Sequence, residues 1–191
     1  MQRWDFINYL IEKYGYKRYL EIGFDAGHNF SQVKCEIKES VDPASNPTHK
    51  MTSDEYFERI APSQDRWDIV FIDGLHHAQQ VSRDIKNSLK YLTENGSIVL
   101  HDCNPITELH QRVPRASGHW NGDVWKAVAD YRSVGGRCLV VNTDEGLGWI
   151  HHSLPSPKPF QVEYTYQALE KNRQLYLGLV DSVEETPDVT E

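Results

Sequence analysis

Four short apolar runs in this chain carry a carboxylate at their C-terminal end: Tyr19-Leu20-Glu21-Ile22, Ser40-Val41-Asp42, Ile69-Val70-Phe71-Ile72-Asp73 and Ile98-Val99-Leu100-His101-Asp102. Runs of this length, rich in β-branched and aromatic residues and bounded by Gly, Pro or Asn, read as buried strands. Segments of helical periodicity lie between them. Strands and helices alternating at roughly 30-residue spacing imply an α/β fold, a mostly parallel sheet with helices on both faces. In such sheets ligands sit beyond the carboxyl ends of the strands. One Asp there is an ordinary turn or cap residue. Four acids in the same topological position, Glu21, Asp42, Asp73 and Asp102, mark that edge as a site.

Phe6, Ile7, Leu10, Ile11 and Tyr14 recur at helical spacing, and Gly15 ends that helix. Strands are expected at 17–22, 39–42, 67–73 and 97–102, with Asn95-Gly96 as a break before the last. Helices are expected at about 29–37, at 54–60 with Thr52 or Ser53 as cap, at 77–92 through Val81, Ile85, Leu89 and Leu92, and at 123–134. Residues 138–142 and 148–152 read as a late, antiparallel strand pair, and 104–121 as a long irregular segment. A helix near 164–179 and a frayed acidic end over 181–191 complete the chain. The expected organisation is one domain over 1–153, with its N-terminal helix, and a C-terminal extension over 154–191.

The turn Glu21-Ile22-Gly23-Phe24-Asp25-Ala26-Gly27-His28-Asn29 is the most informative of the four. Its glycines allow a tight bend and close approach of backbone to a ligand. A carboxylate beside them suits a cationic group, such as an ammonium, and repels a pyrophosphate. Dinucleotide binding would need G-x-G-x-x-G, and Asp25 and His28 stand near the positions of the further glycines. The turn therefore fits an amino-acid-bearing nucleoside better than a dinucleotide. With 20 Lys+Arg against 28 Asp+Glu, net charge −8, the chain has the wrong sign for a nucleic-acid backbone. Cys35, Cys103 and Cys138 form no CxxC, the start shows no signal peptide, and no apolar run is long enough to span a membrane, which together fit the cytoplasm.

Together these motifs make the chain resemble class I S-adenosylmethionine-dependent methyltransferases, with a Rossmann-like fold, from residue 17 to about residue 152. The resemblance rests on Glu21-Ile-Gly23-Phe-Asp-Ala-Gly27, Val41-Asp42-Pro43, Phe71-Ile72-Asp73-Gly74-Leu75-His76 and Gly96-Ser-Ile-Val-Leu-His101-Asp102, in that order. It is nearest to sugar and macrolide O-methyltransferases, with the catechol type more distant. It implies S-adenosylmethionine as cofactor, with Glu21, Gly23 and Gly27 along the methionine moiety and Asn29 on its carboxylate, aided by the helix terminus. Asp42 would take the ribose hydroxyls and Ser53 and Asp54 the adenine, with Asp73 bordering the cofactor. Helix capping is the alternative for Asn29 and Ser53, and an Asp-Pro turn for Asp42.

The resemblance also implies chemistry. Asp73 and Asp102 end neighbouring strands, about 4.8 Å apart in any sheet, so they suit one hard cation such as Mg²⁺. Cys103 departs from the Asn of catechol-type enzymes, and direct substrate binding by the two acids is the alternative. His76, three residues after Asp73, is the expected base for a hydroxyl acceptor. His101 is the second candidate, as base or third ligand, and a regular strand would point it away from Asp102. Arg112, Arg115, His119 and Trp120, in the long segment, are candidate contacts to a small and, if arginines bind it, anionic acceptor. Aromatic residues at both chain ends suit a homodimer contact. Transfer to nitrogen without metal, or a non-catalytic cofactor-binding module, are the competing readings.

Overall fold

The computed structural model describes residues 1–182; the frayed end expected over 181–191 lies, from residue 183 onward, outside the described residues. In chain order the elements are α1 (Arg3–Tyr14), β1 (Arg18–Ile22), α2 (His28–Gln32), β2 (Ile37–Val41), α3 (Ser53–Arg59), a 3-10 turn (Ala61–Ser63), β3 (Trp67–Ile72), α4 (Ala78–Tyr91), β4 (Leu92–Leu100), α5 (Val124–Ser133), β5 (Cys138–Val141), β6 (Leu147–Ile150), α6 (Tyr166–Leu177) and β7 (Leu179–Val180). The strands hydrogen-bond in the order β2-β1-β3-β4-β6-β5-β7. β1 pairs in parallel with β2 and β3, and β5 pairs antiparallel with β6. The expected fold class, a mostly parallel α/β sheet with a late antiparallel pair, is what forms. No helix among the described residues is long and apolar enough to cross a membrane.

Two compact units divide the chain. The first comprises 1–75 and 83–99. Its core includes Tyr19 and Leu20 of β1 and Trp67, Ile69, Val70 and Phe71 of β3, all fully buried, and Phe6, Ile7 and Leu10 of α1 are fully buried as well. Gly15, in left-handed conformation, ends α1 as its spacing requires. The second unit comprises 76–82 and the chain from Leu100 on. Here Trp125 and Val128 of α5 are buried, as are Val140 and Val141 of β5, Leu147 and Trp149 of β6, and Leu169 and Leu177 of α6.

The differences from expectation have local causes. α2 stops after five residues, and β2 begins at Ile37, because Ile37 N–H bonds Lys17 O and joins the sheet beside β1. The cap of α3 is Thr52, whose hydroxyl accepts from Glu55 N–H while the Glu55 carboxylate accepts from Thr52 N–H. β4 begins at Leu92 and runs through Asn95-Gly96. Gly96 fits there because a Cβ would meet Leu92 Cγ at 2.5 Å and Asp68 O at 2.9 Å. In α4 Val81 and Ile85 are buried, but Leu89 is 41% exposed. The two-residue β7, which pairs in parallel beside β5, carries no strand-length signal.

What positions the site is the register of the first unit. Ile22 lies opposite both Val41 and Ile72, so Gly23, Asp42 and Asp73 leave the sheet at one level. Gly23 N–H bonds Val41 O at 2.9 Å, and Asp73 N–H bonds Ile22 O at 2.8 Å. Gly23 has φ +91°, and a Cβ on it would meet Asp73 O at 2.1 Å. The Gly23→Ala variant is therefore expected to lose at least ~2 kcal/mol of stability in urea unfolding, from left-handed backbone strain and the clash together. Gly118→Ala, where nothing lies within 4 Å of the new Cβ, should stay within ~0.5 kcal/mol of wild type.

Candidate active site

In the first unit Glu21 is 1% exposed. Its Oε2 accepts from the Tyr19 hydroxyl and from Asn29 Nδ2, the latter at 2.7 Å. Burial is the largest influence on this carboxyl and pushes its pKa up to about 7, against the two hydrogen bonds that lower it. The same burial holds the Tyr19 phenol well above its usual range. Asn29 lies in the first turn of α2, which spans only His28–Gln32. A helix that short contributes little of the terminal dipole expected to assist ligand binding there. Gly27, at φ +75°, precedes α2 and donates to Phe24 O.

Asp42 does the work of a turn. Its Oδ2 accepts from Phe24 and Asp25 N–H, and its Oδ1 from Ala44 and Ser45 N–H. Burial opposes the charge, but these four backbone donors hold the carboxyl below its usual range. The β1 and β2 turns are thereby fastened together. Ser53 is the first helical residue of α3 and not its cap. Asp54, half exposed, pairs with Arg83 at 3.4 Å. Asp73, just past β3, receives Arg3 Nη1 on Oδ2 at 2.9 Å.

In the second unit Asp102 collects three donors. His101 Nδ1 lies 2.9 Å and His76 Nδ1 3.3 Å from Oδ2. Asn121 Nδ2 donates to Oδ1 at 2.7 Å. The expectation that His101 and Asp102 point apart fails because β4 ends at Leu100 and Asp102 turns left-handed, φ +61°. His101 is 5% exposed, and its Nε2 lies 3.3 Å from Asp144 Oδ1, so this ring bridges two carboxylates. Asp144 and Glu145, both at positive φ, lie in the β5–β6 turn. That turn clasps the segment after Asp102: Cys103 N–H bonds Gly146 O and Asn104 N–H bonds Glu145 O.

The irregular segment 104–121 is ordered by its own side chains. Trp120 stacks on the His76 ring, centroids 5.1 Å apart and planes at 22°. Trp120 Nε1 donates to Arg112 O. Arg115 donates to Ser117 O and Gly118 O and lies 5.8 Å from the Trp120 ring centroid. Its guanidinium is thus engaged in shaping the loop. His119 Nε2 meets Glu145 Oε2 at 2.7 Å. Gly122, φ +63°, lets the backbone press on His76 O, which a Cβ would meet at 1.9 Å. Beyond it, Asp123 Oδ1 accepts from Ala78 N–H at the start of α4.

Five participants escaped the sequence reading: Arg3, Tyr19, Asn121, Asp144 and Glu145. Arg3 lies on an ordinary amphipathic helix and Tyr19 on a buried strand, so neither carries a signal. Asp144-Glu145-Gly146 reads as hairpin-turn chemistry, which it also is. Asn121 is the exception: a polar residue in Trp120-Asn121-Gly122 at the end of a long loop could have been singled out. Arg115→Ala is expected to speed amide exchange across 115–120 while leaving the melting temperature within about 2 °C, because it removes a loop contact and no core packing. Exchange unchanged at those amides would leave Arg115 without a loop role.

A family model described as a methyltransferase domain matches residues 38–103. No curated protein sequence matches the chain. Among solved structures, the O-methyltransferase from Bacillus cereus in complex with SAH aligns over 76% of this chain and 77% of its own, at 15% identity and TM-score 0.50. The SAH-bound methyltransferase PaMTH1 of Podospora anserina aligns over 76% of each chain, at 17% identity and TM-score 0.53. The MycE methyltransferase of the mycinamycin biosynthetic pathway, in complex with Mg, SAH and mycinamycin VI, aligns over 77% of this chain and 48% of its own, at 12% identity and TM-score 0.52. The chain thus has the Rossmann-like fold of class I methyltransferases, with a methyltransferase-domain match across its middle third.

Proposed function

We propose that this chain transfers the methyl group of S-adenosylmethionine to a hydroxyl of a small acceptor. The observation that carries this reading is the pair formed by His76 Nδ1 and Asp102 Oδ2 at 3.3 Å, at the carboxyl end of a methyltransferase sheet. A carboxylate facing Nδ1 selects the tautomer with its proton there and the lone pair on Nε2. A hydroxyl acceptor needs such a base, whereas a neutral amine already offers a lone pair. The pair therefore favours oxygen over nitrogen as acceptor. In the transfer, His76 Nε2 takes the hydroxyl proton, the O–CH₃ bond forms as the S–CH₃ bond breaks, and S-adenosylhomocysteine leaves. Holding donor and acceptor in line is the larger part of such catalysis.

In this reading Glu21, Asn29, Gly23 and Gly27 take the methionine end of the cofactor and Asp42 the ribose, in place of or beside its present backbone donors. Ser53 and Asp54 border the adenine. Trp120, stacked on His76, offers an aromatic face to the acceptor, and His119 and Arg112 flank it. Arg115 acts through the loop it holds. His101 is assigned to positioning, since both of its nitrogens face carboxylates.

A second reading adds Mg²⁺. MycE carries it in its complex, and Asp73 precedes His76, the partner of Asp102, by three residues in one turn. Two carboxylates and an imidazole are a reasonable donor set for a hard cation. Asp73 and Asp102 would hold the ion, which when bound would stabilise charge on the acceptor oxygen. Arg3 on Asp73 and the three donors on Asp102 would have to share those oxygens with it.

Kinetics and calorimetry together test these roles. His76→Ala should lower methyl transfer by roughly 10²–10⁴-fold, with S-adenosylhomocysteine binding unchanged by calorimetry. Should His76→Ala keep near-normal kcat while His101→Ala abolishes it, the base is His101. Activity should fall with Asp73→Asn and in excess EDTA together if the metal takes part; full activity in EDTA removes the metal and leaves the acids as substrate contacts. Binding of S-adenosylhomocysteine without transfer to any hydroxyl or amine acceptor would favour the non-catalytic module.

A further inference from the structure

Among the described residues, the buried carboxyl of Glu21 forms no ion pair. The hydrogen bonds it receives from them come from neutral donors, Tyr19 OH and Asn29 Nδ2. The groups that act on it from the packed elements are Tyr19 on its own strand, Asn29 on α2, Lys38 on β2 and Asp73 after β3. Lys38 donates its ammonium to Phe30 O at 2.8 Å and Val33 O at 2.9 Å, so it is committed to the α2 backbone. Asp73 has Arg3, at 2.9 Å. An ionised carboxylate buried without a cation is costly, and proteins meet that cost by binding a proton or a cation.

A second atom beside it asks for the same partner. Asn29 Oδ1 is buried and has no hydrogen-bond donor among the described residues. It belongs to the amide whose Nδ2 is 2.7 Å from Glu21 Oε2. One amide edge is thus satisfied by the acid, and the other is an acceptor in want of a donor. An acid and an adjacent carbonyl oxygen together match an ammonium, which has three N–H donors and a positive charge. They do not match a carboxylate, the partner expected for Asn29 from the sequence.

We propose that Tyr19, Glu21 and Asn29 form an ammonium receptor in which a proton on Glu21 holds the place of the ligand's α-ammonium, so that binding of the cofactor's amino-acid end expels that proton to solvent. This rests on the reading of the chain as a binder of S-adenosylmethionine. The proton balance is simple: the protonated carboxyl loses H⁺ to buffer, the ammonium keeps its own three, and the Tyr19 phenol keeps its hydrogen throughout. A carboxyl whose pKa is raised to about 7 in the folded chain is half ionised at that pH, so proton and ammonium compete across the physiological range. The sign follows from this: affinity falls as pH drops through 7 and levels off above it.

Calorimetry of S-adenosylhomocysteine binding in buffers of different ionisation enthalpy tests this. At pH 7 about half a proton should be released per ligand bound, and affinity should fall about eightfold from pH 7.5 to pH 6. 5′-Methylthioadenosine, which lacks the amino-acid end, should bind with no proton release. Glu21→Gln should bind S-adenosylhomocysteine more weakly and without pH dependence. Tyr19→Phe removes a donor that favours the ionised acid, so the midpoint should move above pH 7 even if Glu21→Gln fails to fold. PH-independent binding of S-adenosylhomocysteine, or equal proton release with 5′-methylthioadenosine, overturns the receptor and leaves the cofactor reading standing. If neither nucleoside binds, both fall together.

Discussion

Two backbone hydrogen bonds hold the ends of three parallel strands level, Gly23 N–H to Val41 O and Asp73 N–H to Ile22 O. They leave room for no side chain at Gly23. Because the strands are in register up to that line, the residues that follow are delivered to one edge: the Gly23 turn, Asp42 and Asp73. Glu21, two residues before Gly23, remains inside the sheet and is buried for that reason. The chemistry of the edge is a consequence of where each strand stops pairing.

The four strand-end acids are treated in four different ways. Asp42 is solvated by backbone N–H groups and kept charged. Asp73 is matched by a guanidinium. Asp102 is surrounded by two imidazoles and an amide. Among the described residues Glu21 receives neutral donors only, and burial pushes it toward its protonated form. Identical functional groups acquire separate roles through desolvation, charge and hydrogen bonding, the three influences that shift any carboxyl. One sequence pattern thus yields an acid clamped by backbone amides, an acid paired with a guanidinium, an acid facing two imidazoles and an acid held by a phenol and an amide.

Around Asp102 the backbone itself is under strain. Asp102, Asp144 and Glu145 all take left-handed conformations that favour glycine, at about 1–2 kcal/mol each. The same residues carry the bonds to His101, Asn121 and His119 that a relaxed backbone would misdirect. Stabilisation from this network and from the Cys103 and Asn104 backbone bonds to the hairpin turn offsets the strain. Strain maintained in this way is characteristic of sites where side-chain direction matters more than local comfort.

Much of this was legible in the chain. Strand–helix alternation, the late antiparallel pair, the glycine turn and the acids at strand ends follow from periodicity and from φ restrictions, which act within a few residues. Boundaries differ where a distant strand intervenes, as at Ile37, or where a single left-handed residue follows an early strand end, as at Asp102. Which acid would meet which partner was not legible. Arg3 reaches Asp73 across 70 residues, His101 reaches Asp144 across 43 and Asn121 reaches Asp102 across 19. No local rule links such positions. The sequence by itself determined the order of elements and the placing of carboxylates at strand ends, because both are local. Only the tertiary structure decided which of those carboxylates received a guanidinium, imidazoles, a set of backbone amides or neutral side-chain donors, because burial and partners are set by packing between distant segments.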